Sequence, residues 1–471
     1  MFSENDKMHE ECGVFGVYAK NQVDTFLLMQ FGLIALQHRG QEACGISFLT
    51  NKKIYSFKKE GLVIEAFASI ENPALYQGNA AIGHTRYSTT GGQSKRNIQP
   101  LFAKNIDDEV FISIAHNGNL VNSGKIREAM EEEGIKFVSN HSDTEVMLRI
   151  IQKYYHKGIE FAVKEVFNNV KGAYSCVLLT RESLVAFRDP FGIRPLSLGI
   201  TEEGTYVVSS ETCGLDAVSA DFIRDIEPGE MIEINDTGVH SYMIKHQEKK
   251  ATCSFEYIYF SRPDSIIKGD SIYHFRELTG RKLWEQAGIE ADVVIGVPDS
   301  GVPAAIGYAT ASGIPFKPVL LKNKYLGRSF INPSQAMRER TVMLKLNPII
   351  SEVKGKRVII MDDSIVRGTT SMRLVNIFKK AEAKEIHFIS ASPPIIAPCF
   401  LGLDTPEKEH LIAANQTQEE IKNYLGVDSL TFLSIENLKD LLKDEGYCLG
   451  CFTEKYPVNK HEQVALNQSY S

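Results

Sequence analysis

Long apolar runs are missing from this chain. No stretch approaches the ~20 residues that cross a lipid bilayer, so a helical membrane protein is not expected. An excess of basic charge is missing as well. Its 52 Lys and Arg are outnumbered by 59 Asp and Glu, giving a formal net charge of −7, which argues against general nucleic-acid binding. The first eleven residues are polar and acidic, with neither a basic start nor an apolar run, so they do not form a secretory signal. Cysteine is sparse: eight in 471 residues is far from the density of a disulfide scaffold. A reducing cytoplasm fits, where thiols stay free for catalysis or metal binding. Internal repeats and low-complexity segments are absent too, while the length allows two or three domains with sizeable cores.

Two textures divide the chain. From Gly13 to about Ile244, short alternating strands (109–115, 173–179, 205–209) are interrupted by helical stretches at 143–155 and 160–170, a pattern of α+β layers. The charged run 245–250 reads as a boundary or as a solvated strand end. From Asp292 onward, strands at 292–297, 316–321, 357–361 and 386–391 alternate with helices at 303–311 and 372–381. That is the order of a parallel α/β sheet. A last amphipathic stretch, 435–444, reads as a packing helix.

Residues 358–371 carry the most chemistry. An apolar run ends in Asp362 and Asp363. Ser364, Arg367, Gly368, Thr369, Thr370 and Ser371 follow, and a helical pattern resumes at Met372. Ligands bind at such carboxyl ends of strands in α/β proteins. The Gly-Thr-Thr-Ser turn can aim N–H groups and hydroxyls at a phosphate, and the paired acids suit a sugar diol or a hard metal ion. The stretch has no Gly-Lys-Ser/Thr, so it is not a Walker loop. It resembles the PRPP-binding motif of type I phosphoribosyltransferases. That resemblance implies acids on the ribose hydroxyls and a loop around the 5′-phosphate. Two further segments join it. The turn Val297-Pro298-Asp299-Ser300-Gly301 resembles the family's pyrophosphate loop, with Ser300, Asp362 and Asp363 as the expected Mg²⁺ neighbours. The basic run 322–340, containing Lys324 and Arg328, reads as a solvated loop or as a lid that closes over a charged phosphate.

The first half supplies Glu11-Cys12-Gly13, the runs 36–45 and 83–89, His116-Asn117-Gly118-Asn119 and Ser142-Asp143-Thr144-Glu145. Taken alone, Cys12 reads as a buried structural thiol. The motifs together, in this order, resemble the N-terminal-nucleophile glutamine amidotransferase domain. The resemblance implies Cys12 as nucleophile, Asn117 and Gly118 as oxyanion-hole donors, and Arg39, Arg86 and Asp143 as glutamine-binding residues. A free α-amino group, with a pKa of ~7.7–8.0, can take the thiol proton near neutrality, whereas a peptide nitrogen cannot. Residues 1–11 are therefore expected to be a propeptide, removed at Glu11–Cys12.

Cys448-Leu449-Gly450-Cys451 is one close pair, and Cys253 and Cys399 stand singly. By spacing, four such thiols can hold Zn²⁺ or a [4Fe–4S] cluster. Their contexts match the cluster-bearing branch of the glutamine phosphoribosylpyrophosphate amidotransferases, whose resemblance spans the chain to about Pro457. It implies a four-layer αββα glutaminase domain of the Ntn-hydrolase type (12–245) and a type I phosphoribosyltransferase α/β domain (246–471). It also implies that PRPP, glutamine and water give 5-phosphoribosylamine, glutamate and pyrophosphate, the first committed step of purine synthesis. Ammonia would pass between the sites by an internal channel. Inhibition by purine nucleotides (AMP, GMP, ADP) and a homotetramer are further expectations of the resemblance. Its competitors are a PRPP-binding regulator that has lost catalysis and a redox sensor built on the cluster.

Overall fold

The computed structural model describes residues 12–87, 95–139, 142–322, 346–443 and 446–459. Segment 1–11, Lys324 and Arg328 lie outside the described residues.

The first half is built on thirteen strands: β1 (Gly13–Val23), β2 (Ala43–Thr50), β3 (Lys53–Glu60), β4 (Gly78–Arg86), β5 (Leu101–Lys104), β6 (Val110–Leu120), β7 (Gly172–Thr180), β8 (Leu184–Arg188), β9 (Ser197–Thr201), β10 (Tyr206–Ser209), β11 (Ala220–Asp225), β12 (Glu230–Asn235) and β13 (Gly238–Met243). They form two sheets, in the orders β11-β9-β10-β1-β4-β2-β3 and β13-β12-β8-β7-β6-β5. Val14, Ile82 and Val208 of the first sheet pack against Ala115, Val177, Leu184 and Ile232 of the second. Each such side chain, fully buried, is worth about 1.5–3 kcal/mol. A one-residue slip would turn that set outward, so the pattern fixes the register. The outer face of the seven-stranded sheet is covered by helices Thr25–Ala35 and Val63–Ala68, that of the six-stranded sheet by Asp143–Tyr154 and Ile159–Asn169. The layers are therefore α, β, β, α.

The second half has a parallel sheet of four strands, ordered Val293–Gly296, Arg357–Asp362, Glu385–Ser390, Ser429–Phe432. Alternate residues feed two cores, one on each face: Val293, Ile295, Val358 and Ile360 on one side, Val294, Ile359 and Met361 on the other. Such continuous apolar runs mark strands buried on both faces. The strand expected at 316–321 is corrected. Phe316 makes a single bridge to Val294, and Leu320–Lys322 pairs instead with Leu346–Pro348 in a separate ribbon. Pro318 interrupts the run and cannot donate to a ladder.

The second core also reaches into the first half, taking in Val121, Ala173 and Ile193 alongside Phe255, Phe400 and Leu401. Among the described residues, no helix is long and apolar enough to cross a membrane.

Candidate active site

Cys12 precedes β1, and the β1–β4 register sets Gly13 against Thr85, which brings the thiol to the end of β4 where Arg86 lies. Its Sγ donates to the Tyr87 carbonyl at 3.6 Å. Cys12, Arg86, His116, Gly118, Ser142 and Asp143 line one cleft with about 410 Å³ of empty volume, joined by Tyr87, Asn97 and Gln99. Asp143 opens its helix and accepts from the backbone N–H groups of Leu120 (3.2 Å) and Thr144 (2.7 Å).

Asn117 is fully buried on β6, and neither atom of its side-chain amide finds a hydrogen-bond partner among the described residues. A buried amide left unpaired costs roughly 1–3 kcal/mol, so it calls for an explanation. Gly118 follows with φ +137°, and a Cβ there would lie 2.0 Å from the Ala173 carbonyl oxygen. Only glycine fits.

Arg39 is not among the residues lining the cleft. Its guanidinium is buried, bonded to Glu211 and Glu256 and, at 3.3 Å, to the Ser261 hydroxyl. Only its aliphatic part approaches, with Cδ 3.5 Å from the point a Cβ on Gly13 would occupy. His116 was part of a recognised motif but had no assigned role. Its Nδ1 meets the Thr144 hydroxyl at 3.2 Å, and burial lowers its pKa, with the Asp143 charge opposing. Gln99 was not singled out at all; it accepts from the His116 backbone N–H at 2.7 Å.

In the second half, Asp362 ends the inner strand Arg357–Asp362, Asp363 follows it, and both are almost fully buried. Ser300 meets the second of them: its hydroxyl donates to Asp363, and Ser364 donates to the other Asp363 oxygen at 2.6 Å. Gly368 takes φ +80° and starts helix Thr369–Lys380, so Thr369, Thr370 and Ser371 form its first turn. The loop therefore presents a helix N-terminus, where free N–H groups favour an anion. Arg276 was missed. Burial lowers its pKa to about 10 while the Asp363 charge opposes the shift, and it donates to the carbonyls of Tyr257 (2.9 Å) and Ser261 (2.7 Å). Its partners are remote in sequence, so no local signal marks it.

The four cysteines gather at one place. Cys253 and Cys448 sit in register on a two-stranded parallel ladder, and the Cys451 carbonyl accepts from Ile396 and Ala397 at 2.9 and 3.1 Å. None of the four is joined in a disulfide. Burial raises the Cys451 thiol well above its usual value, and Cys399, Cys253 and Cys448 raise it further, while burial pushes Cys448 up to about 12. Mutual repulsion of this kind is what a bound polynuclear cation offsets. Among the described residues, no three His, Cys, Asp or Glu side chains are grouped to hold a single metal ion. The four thiols share an environment without converging on a point.

Fold and site together define a glutamine amidotransferase joined to a phosphoribosyltransferase. The family model for the glutamine amidotransferase domain matches residues 84–217, and that for the phosphoribosyl transferase domain matches 270–392. The chain is 43% identical over 472 residues to the amidophosphoribosyltransferase of Bacillus subtilis (strain 168), covering 99% of this chain and 98% of that protein. It is 44% identical over 474 residues to the Methanocaldococcus jannaschii enzyme of the same name, covering 97% and 100%. Among solved structures, glutamine phosphoribosylpyrophosphate amidotransferase from B. subtilis, complexed with ADP and GMP, superposes with a TM-score of 0.89 at 43% identity, covering 95% of this chain and 98% of that one. The chain belongs to the amidophosphoribosyltransferases, glycosyltransferases with glutamine amidotransferase activity that act in purine biosynthesis.

Proposed function

We propose that Cys12 releases ammonia from glutamine and that the Asp362–Ser371 site adds it to PRPP, giving 5-phosphoribosylamine, glutamate and pyrophosphate. The Asn117 amide, without a partner among the described residues and next in sequence to Gly118 and His116 of the Cys12 cleft, carries the donor half of this reading. Removal of residues 1–11 frees the Cys12 α-amino group as the base. The thiolate then attacks the γ-carbonyl carbon, and the Asn117 Nδ2 and Gly118 N–H hold the oxyanion. Donors placed this way are each worth about 10²–10³ in rate. Arg86 clamps the α-carboxylate and Asp143 the α-ammonium. Arg39 acts on glutamine only through the backbone that it supports. Ammonia leaves, and water hydrolyses the thioester to glutamate.

In the acceptor half, Asp362 and Asp363 take the ribose hydroxyls. Ser364, Arg367, Gly368, Thr369, Thr370 and Ser371 enclose the 5′-phosphate. Ammonia bonds to C1 as pyrophosphate departs, and it loses a proton. Ser300, Asp362 and Asp363 form an oxygen donor set suited to Mg²⁺, which when bound supplies positive charge to the leaving group. Lys324 and Arg328 add cationic charge from the lid. An enclosed path between the sites keeps ammonia from protonation by solvent.

Cys253, Cys399, Cys448 and Cys451 fit a [4Fe–4S] cluster, whose role is structural or oxygen-sensing because the reaction transfers no electron. The division falls near residue 245, purine nucleotides inhibit, and the protein works as a cytoplasmic homotetramer. The solved relative with ADP and GMP supports the nucleotide assignment. The decisive experiment is Cys12→Ala, which should abolish synthesis with glutamine and retain it with added ammonia. Loss of both together would refute two coupled sites. Intact mass with iron and sulfide analysis of anaerobically purified protein checks the propeptide and the cluster.

A further inference from the structure

Phe400, Leu401 and Gly402 lie in the second half, yet they rest on the strand that carries Asn117 and Gly118. The Asn119 side-chain amide donates to the Phe400 carbonyl at 3.0 Å. Arg194, fully buried, donates to the Leu401 carbonyl at 2.9 Å. Gly402 takes φ +110°, and a Cβ there would lie 3.1 Å from both Cα and C of Gly118 and 3.2 Å from Arg194 Nη2. On its other side Gly118 is bounded by Ala173 of β7, whose carbonyl leaves no room for a Cβ. The Gly118 peptide is thus held between a strand of the first half and a loop of the second.

That placement answers a physical problem. A glycine is the residue least able to hold its own torsions. An oxyanion donor must nevertheless stay within about 0.5 Å and 10–20° of its working position. The restraint has to come from neighbours: β7 on one side, and on the other Gly402, where even an added Cβ would lie 3.1 Å from Gly118. We propose that Gly402 is a positioning residue for glutamine hydrolysis: the 400–402 loop presses on Gly118 and fixes the oxyanion-hole N–H across the boundary between the halves. The proposal rests on the assignment of Cys12, Asn117 and Gly118 made above. It adds that the glutaminase site is completed by backbone from the phosphoribosyl half.

The test is Gly402→Ala in the full chain. The expected result is a fall of about 10²-fold in kcat for glutamine hydrolysis, the loss typical of one misplaced oxyanion donor. KM for glutamine should stay within about threefold, because Arg86 and Asp143 keep their contacts. Ammonia-dependent synthesis should persist. Affinity for the γ-aldehyde analogue of glutamate, whose adduct with Cys12 carries an oxyanion, should fall in parallel with kcat. Alkylation of Cys12 by iodoacetamide, which forms no oxyanion, should proceed at the parent rate. Asn119→Ala, which removes the Phe400 bond, should show the same pattern with a loss of about fivefold, and it decides the matter alone if Gly402→Ala does not fold. Unchanged kcat and aldehyde affinity, or equal losses with glutamine and ammonia, would overturn the proposal. Glutamine-dependent turnover surviving in Cys12→Ala would instead overturn the assignment beneath it.

Discussion

At the scale of single residues, Asn117 sets function against stability. Its amide is buried and has no partner among the described residues, a cost of roughly 1–3 kcal/mol that the proposed oxyanion-hole role accounts for. Asn117→Ala should therefore lower glutamine kcat by about 10²–10³-fold while leaving the melting temperature unchanged or raised. A calorimetric scan beside a glutaminase assay checks both signs at once. Asn117, Gly118, Asp362, Asp363 and the Cys448–Cys451 pair could be named as candidates from the sequence because each sits in a short motif whose chemistry is local, whereas Cys253 and Cys399 stand singly and were named only through the resemblance. Arg276, Arg194 and Glu256 were not legible. Arg194, for instance, meets Leu401 and Glu256, and only the fold brings them together. Arg39 shows the converse. A motif named it for the glutamine site, but no local pattern announced the buried carboxylates that its charged end pairs with.

At the scale of elements, the phosphate loop depends on one torsion. Gly368 holds φ +80° at the helix start, and a Cβ there would lie 2.8 Å from Ile412 Cδ1. Gly368→Ala should raise KM for PRPP by about tenfold, with either glutamine or ammonia as donor, since backbone strain of this kind costs ~1–3 kcal/mol. Steady-state kinetics with both donors checks it. The strands at 173–179, 205–209, 292–297, 357–361 and 386–391 and the helices over 143–155, 303–311 and 372–381 were readable from periodicity to within a few residues. Several helices were not, and two of them show why. Thr25–Ala35 is apolar on nearly every side, so it has no period to read. Helix Ile272–Ala287 buries Arg276, Thr279 and Gly280 beside Ile272, Phe275 and Leu283, so its inward face is half polar or small. The loop 400–402 left no trace in the sequence, because its contact with Gly118 is between backbones.

At the scale of the whole molecule, the halves are joined by charge as well as by a shared core. Glu256 accepts from Arg39 and Arg194, while Glu211 bonds His38 and Arg39 of its own half and the Arg262 N–H and Ser265 hydroxyl of the other. Burial alone would raise both carboxyls. Arg39, helped by His38 at Glu211 and by Arg194 at Glu256, outweighs it and holds both below the usual value of 4.5. Their folded pKa values are depressed, so this stabilisation is complete above the unfolded value and is lost as pH falls below about 4.5 toward the folded ones. Melting temperature should drop steeply below that pH. Glu256→Gln should lower it at pH 7 by breaking a buried pair, a cost of about 3–5 kcal/mol, and make the acid limb shallower. Thermal scans from pH 7 to pH 3 test both.

One pairing has a consequence for how the protein is made. Thr252 and Cys253 open the second half, and they lie in register with Tyr447 and Cys448 near its end. The strand that completes this ladder leaves the ribosome long after the one it joins. The second half therefore stays unclasped until Tyr447 and Cys448 are made, and any metal held by all four thiols has to wait for them. A polypeptide that stops short of Tyr447 would carry every residue proposed for both reactions and still lack this closure.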